Sequence, residues 1–357
     1  MNTVDAVARL AAFGLPGVDP APIALDDPDA VLADSAARRA LPWVAAADGA
    51  GLVVGVSDQW RADLRRRHLG AVQSTMAAHA AAIDVAERLR SAGICDARIL
   101  KGCATAHLDY ERPIDRFSTD VDLLLRPTQR SAFLAQWPDI TVPAGPRERW
   151  QRQYGKATTL VSSTKVEIDV HMMLGNGYFG MVIPLDELFV SPVAFEIGGV
   201  QMQALDGPNR LIHAANHLAS AGFKGLHSIR DVLQLVLVSE VDWESAVARA
   251  ERWKIEGLFA QGMIEAWGAF PVPPHPILKW ARGVTPRGRQ RFALSLASDR
   301  RSGHLLTAPA ALPVYRWPGY VLPMVFPSRV HLAQSRQGWS WRTRMRRMMA
   351  QLNPRRR

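Results

Sequence analysis

The chain has 357 residues, 48% of them hydrophobic, which is enough to bury a sizeable core and to hold two or three subdomains. Its net charge is +10, but residues 329–357 carry nine arginines and no acid, so without that tail the chain stands at +1. A near-neutral body argues against a broad nucleic-acid groove, where each phosphate contact needs a cation, and two cysteines exclude a disulfide framework or a zinc finger.

The N-terminus lacks the basic-then-apolar pattern of a signal peptide. With only Cys95 and Cys103, a reducing, cytoplasmic setting is expected. Residues 1–93 are rich in Ala, Leu and Arg and read as an N-terminal helical region. Within it, 61–93 predicts one long helix with Leu64, Val72, Met76, Ile83 and Leu89 among its buried positions and Gly93 as its stop.

Strand signals occupy residues 94–205. CDARIL at 95–100 predicts a short strand feeding Lys101–Gly102, followed by a helix to about Tyr110. After Pro113 a strand is expected over 119–125, with Thr128 as N-cap of the next helix. A hairpin is expected over 156–171, turning near Ser163–Thr164. In its second strand Val166, Ile168 and Val170 share one face, and Lys165, Glu167, Asp169 and His171 share the other. A further strand pair turns at Gly198–Gly199.

From Asp206 to about residue 300 the pattern is helical, with segments carrying His213 and His217, then 228–237 and 242–268. Residues 301–357 form a terminal segment. Its apolar stretch is interrupted by Pro309, Pro313, Pro318 and Pro323 and carries Arg316, which excludes a membrane span there. Trp341, Met345, Met348, Met349 and Leu352 recur at helical spacing, so the tail reads as a docked or solvated amphipathic helix. Its arginines would also suit an acidic partner, an anionic membrane surface or RNA. The fold class is α+β: a small mixed sheet flanked by helical regions on both sides.

The chemistry concentrates around Asp120 and Asp122. At strand spacing both carboxylates point to one face, where they repel unless a cation or one of Arg112, Arg116 and Arg126 lies beside them. Asp169 offers a third acid on another strand, and three such carboxylates suit Mg²⁺ and a nucleoside triphosphate. Lys101–Gly102 follows a strand, where glycine lets backbone approach a phosphate and a helix N-terminus favours its charge. No Walker loop is present. His171 either orients a metal or acceptor or simply bonds a neighbouring carboxylate. His213 and His217 share a helix face but have no HExxH glutamate, so they read as a satisfied pair at a domain junction. Arg230–Asp231 reads as an ion pair within or between helices.

LKG at 100–102, Tyr110, the run Arg116-x-Ser118-Thr119-Asp120-x-Asp122-Leu123-Leu124 and IDVH at 168–171 resemble an uncharacterised bacterial nucleotidyltransferase family of the DNA polymerase β-type superfamily. LIHAANHLA and IRDVLQLV resemble its later helices, and PSRVHLAQSR its C-terminal segment, so the likeness spans residues 30–355. The resemblance implies nucleotidyl transfer with two Mg²⁺ ions on Asp120, Asp122 and Asp169, the last also helping to deprotonate the acceptor. Lys101, Gly102, Arg116, Ser118 and Thr119 would meet the triphosphate, and His171 would stand near the acceptor. The expected donor is an NTP, ATP first, giving AMP to a hydroxyl of a small molecule, peptide or protein. The superfamily usually has Gly–Ser where this chain has Gly102–Cys103. That departure motivates one alternative, a non-catalytic nucleotide- or partner-binding protein. The Arg-rich tail motivates another, an RNA-acting transferase.

Overall fold

The computed structural model describes residues 2–18, 21–137, 153–162, 164–175, 177–223, 225–297 and 307–325. Its centre is a six-stranded sheet of β3 (Arg98–Ile99), β4 (Asp120–Leu124), β5 (Ala157–Val161), β6 (Glu167–His171), β7 (Val193–Ile197) and β8 (Val200–Ala204), in the order β5-β6-β4-β3-β8-β7. β4 runs parallel to β6 and β3 parallel to β8, while the other neighbours are antiparallel. The sheet is therefore mixed, as expected. A separate parallel pair, β1 (Ile23–Ala24) and β2 (Val53–Val54), lies in the N-terminal region.

Before the sheet come α1 (Thr3–Ala11), α2 (Pro28–Ala37), α3 (Leu41–Gly49) and α4 (Asp58–Ser91). Within it are α5 (Lys101–Asp109), α6 (Arg130–Leu134) and α7 (Gly177–Met181). After it come α8 (Gly207–Ser220), α9 (Leu226–Leu237), α10 (Trp243–Arg252), α11 (Glu256–Ala269), α12 (Pro276–Gly283), α13 (Gly288–Ala297) and α14 (Trp317–Val325). Among the described residues no helix is long and apolar enough to cross a membrane.

Local chemistry accounts for most boundaries. Ser57 caps α4 by accepting from Trp60 N, and Gly93 ends it in the left-handed region at φ 67°. On α4, Leu64 and Leu89 are buried as expected, whereas Val72 and Ile83 are only partly covered. Met76 is 60% exposed, and the covered line runs Ala71, Thr75, Ala78, Ala82, Val85 and Leu89. Small residues there let the helix lie close on the sheet, which a count of large apolar residues overlooks. Thr128 does not cap α6; Gln129 holds that position and forms no side-chain cap bond. The stretch 242–268 is helical as expected and consists of two helices, separated where Lys254 takes φ 58°. Gly198 and Gly199, both at positive φ, make the β7–β8 turn. The tail positions 341–352 lie outside the described residues.

Strand alternation decides what each side of the sheet meets. Val121, Leu123, Ile168 and Val170 are buried with α4 residues Ala78, Ala82 and Val85 in one core. On the opposite side Asp120 pairs in register with Glu167, Asp122 with Asp169, and Leu124 with His171. Leu124 and Leu100 join a second core shared by α1–α3 and α8–α12, with Leu10, Val44, Leu233 and Phe259 among its members. The acidic face thus lies at the junction of the sheet with the helices.

Candidate active site

Asp122 is the centre of the site. Parallel pairing of β4 with β6 sets it beside Asp169, and ligand atoms of Asp122, Asp169 and His171 all lie within 4.8 Å of one another. His171 Nε2 is 2.7 Å from Asp122 Oδ1, and Lys101 Nζ is 2.8 Å from Oδ2. Burial pushes the Asp122 carboxyl up, but the Lys101 charge and then the His171 bond outweigh it and hold it well below the usual carboxylate range. Burial likewise opposes the Lys101 ammonium, which Asp122 and then Asp120 keep above its ordinary value. His171 is pushed down, by burial first and then by the Lys156 charge.

The outer contacts suit a metal. Thr159 Oγ1 donates to Asp169 Oδ1 at 2.5 Å, which orients that carboxylate. His171 Nδ1 faces the Met173 carbonyl at 3.4 Å, an acceptor able to hold the tautomer that frees Nε2 for a cation. Two carboxylates and an imidazole could together hold a divalent ion such as Mg²⁺ or Mn²⁺. Asp120 stands at the half-buried start of β4, in register with Glu167, and is not one of these three converging groups, though its charge also helps to keep Lys101 above its ordinary value.

The glycine turn is tight. Gly102 has φ 27° and ψ −101°, and a Cβ there would lie 3.3 Å from Ser118 Oγ and 3.7 Å from the Asp120 carbonyl. Only glycine lets the backbone of this turn meet the start of β4 so closely. Cys103 turns away from the acids into the core, with Sγ 3.9 Å from the Ala78 carbonyl on α4. Burial pushes its thiol up to about 12. It is a packing residue, and its side chain is not part of the site.

The scan against family models supplies the decisive comparison: the model described as uncharacterised nucleotidyltransferase matches residues 26–266, more than half of the chain. The chain belongs to this nucleotidyltransferase family. Comparison with curated proteins and with solved structures found no match. The matched span runs from the N-terminal helices through the six-stranded sheet into α11, so the acidic face lies inside the family's own region.

Other members of the expected set are engaged elsewhere. Arg116 Nε and Nη2 donate to Asp231 at 3.2 and 2.6 Å, and Nη1 donates to the Phe117 carbonyl and to Ser118 Oγ. Tyr110 Oη donates to the same carboxylate at 3.0 Å. Ser118 is buried and its N–H donates to Thr75 Oγ1 on α4. This network ties the segment before β4 to α9 and α4. Thr119 is half-buried beside it. Arg230 does not pair with its neighbour Asp231; it donates to the Ala11 and Phe13 carbonyls and so caps α1. His213 and His217 line a small cavity behind Lys101 with Thr105, Arg210 and Asp231. Both are held well below their ordinary value by burial and then by Lys101.

Lys156 is a candidate site residue that sequence reasoning missed. It precedes β5, and its carbonyl accepts from Met172 N at 2.9 Å. Burial and the Lys101 charge push its ammonium down, and Asp122, Asp169 and Asp120 pull it back up, so it shares the field of all three acids. The signal was the hairpin register: Ala157 faces His171, which brings the residue before it to the edge of the site.

Proposed function

We propose that this chain transfers a nucleoside monophosphate, AMP from ATP, to a hydroxyl of a small-molecule, peptide or protein acceptor and releases pyrophosphate. The observation that carries this reading is the convergence of Asp122, Asp169 and His171 within 4.8 Å, beside Lys101 and a glycine turn. Asp120, Asp122 and Asp169 are assigned as ligands of two Mg²⁺ ions, with His171 as an orienting group or further ligand. Bound Mg²⁺ supplies charge neutralisation on the triphosphate and activation of the attacking oxygen.

The remaining roles belong to the chain. Lys101 and Lys156 present their ammonium groups to the phosphates, and Gly102 lets the backbone come within reach. Thr119 is assigned to a phosphate oxygen. Arg116 and Ser118, already bonded to each other, are assigned to holding the start of β4 in place. Asp169 takes the acceptor proton at Oδ2, since Thr159 occupies Oδ1. Low net charge outside the tail favours a compact acceptor over a long nucleic acid. Two free cysteines fit a reducing, cytoplasmic setting.

The test is to incubate labelled NTPs and Mg²⁺ with cell extract and either the wild type or Asp122→Asn and Asp169→Asn. Label on a distinct acceptor, with pyrophosphate released by the wild type alone, is the expected result. Tight NTP binding without pyrophosphate from any NTP would replace this reading with nucleotide binding alone.

A further inference from the structure

Among the described residues, exposed apolar side chains concentrate in residues 314–322. Val314 (73% exposed), Tyr315 (76%), Trp317 (42%), Val321 (38%) and Leu322 (53%) fall within nine residues, against eight comparably exposed large hydrophobics in all other described residues. Scattered exposed apolar residues are ordinary, but such a concentration marks an interaction surface. The segment is also held in place. Tyr320 turns inward and packs edge-on against Tyr154, ring centroids 5.1 Å apart, with Leu312 and Met181 against the same cluster. Trp317 Nε1 donates to the Leu312 carbonyl at 3.2 Å, which satisfies the ring's polar end.

Charge identifies the occupant. Asp299 is the last acid in the chain, and residues 300–357 contain twelve arginines and no lysine. Arg316 lies within the apolar face, its guanidinium 5.7 Å from the Tyr315 ring centroid. Apolar insertion or basic charge alone gives only marginal attachment to a bilayer, whereas the two together bind firmly. Tyr and Trp suit the headgroup boundary, and Val314, Val321 and Leu322 suit the acyl region below it. RNA would use the arginines and the aromatic rings but leave the three aliphatic side chains without a role.

We propose that this face is an interfacial anchor for a bilayer of anionic phospholipid, with Val314, Tyr315, Trp317, Val321 and Leu322 entering its surface and Arg316 meeting its headgroups, while the basic composition of the C-terminal sequence favours an anionic surface. Tyr154, which seats the segment, is two residues before Lys156, so docking holds the edge of the candidate site close to the bilayer.

The test floats the full-length protein with phosphatidylcholine vesicles, with and without phosphatidylglycerol, at low and high salt. Flotation is expected only with phosphatidylglycerol, weakening as salt screens the arginines. The double variant Val314→Glu/Tyr315→Glu should lower vesicle affinity at least about tenfold, with its melting temperature unchanged because both side chains are largely exposed. Should that variant melt early, Leu322→Glu is read in its place. The inference is overturned by absence of flotation with anionic vesicles, or by flotation that the glutamate variants leave intact. It is also overturned if RNA binds in preference to the vesicles and the glutamate variants do not alter that binding.

Discussion

Asp231→Asn should be the most damaging single change at the junction of the sheet and helices. The Asp231 carboxylate takes three donors, Arg116 Nε and Nη2 and Tyr110 Oη, and both charged side chains are about 5% exposed. Asparagine keeps one acceptor oxygen but turns an amide N–H₂ toward the guanidinium, leaving a buried cation uncompensated. Breaking such a pair costs about 3–5 kcal/mol, or roughly 5 °C in melting temperature for a chain of this length. Replacing both partners, as Arg116→Met/Asp231→Leu, should recover most of that loss, because no buried charge is then left unpaired. Melting followed by circular dichroism across wild type, both single variants and the double variant gives the coupling directly. A single variant losing under about 1 kcal/mol, or a double variant as unstable as the worse single, would refute the account. Since Arg116 Nη1 also holds the Phe117 carbonyl and Ser118, the single variant should further weaken any activity of the acidic site.

Gly102→Ala should cost about 1–2 kcal/mol, because alanine resists φ 27° and its methyl would press on Ser118; calorimetry with Mg²⁺ and ATP should show weakened binding as well, and a wild-type melting temperature would contradict this. Stability should fall as pH drops. His79 and His227 are each pushed down to about 4, by burial first and then by His107 and Arg116 respectively. The folded value lies below the unfolded one, so the unfolded chain binds more protons, and the stabilisation is complete above about pH 6.5 and lost toward about pH 4. For the more buried His227 this amounts to about 3 kcal/mol; a melting temperature that stays flat over that range would argue against it. With a disulfide reagent, native protein should react at exposed Cys95 alone, and Cys103 should follow only after denaturation. Rapid modification of both thiols in the native state would mean that Cys103 is not packed against α4.

Alternation along two short strands made the faces of the sheet legible without coordinates. Val121 and Leu123 against Asp120 and Asp122, and Ile168 and Val170 against Asp169 and His171, separate core from site because side chains in a strand repeat every two residues. The glycine turn and the outline of the hairpins were legible for similarly local reasons. Pairings across the fold were not. Asp122 meets His171 49 positions later, and Arg116 meets Asp231 115 positions later, through contacts that depend on strand order and on where α9 docks. Lys156 comes near the acids because β5 lies against β6, and parallel register sets Asp122, not Asp120, directly beside Asp169. Local pattern determines which face a residue takes. Only packing between distant elements decides which charges share that face, because charge pairing depends on distances that no single strand or helix defines.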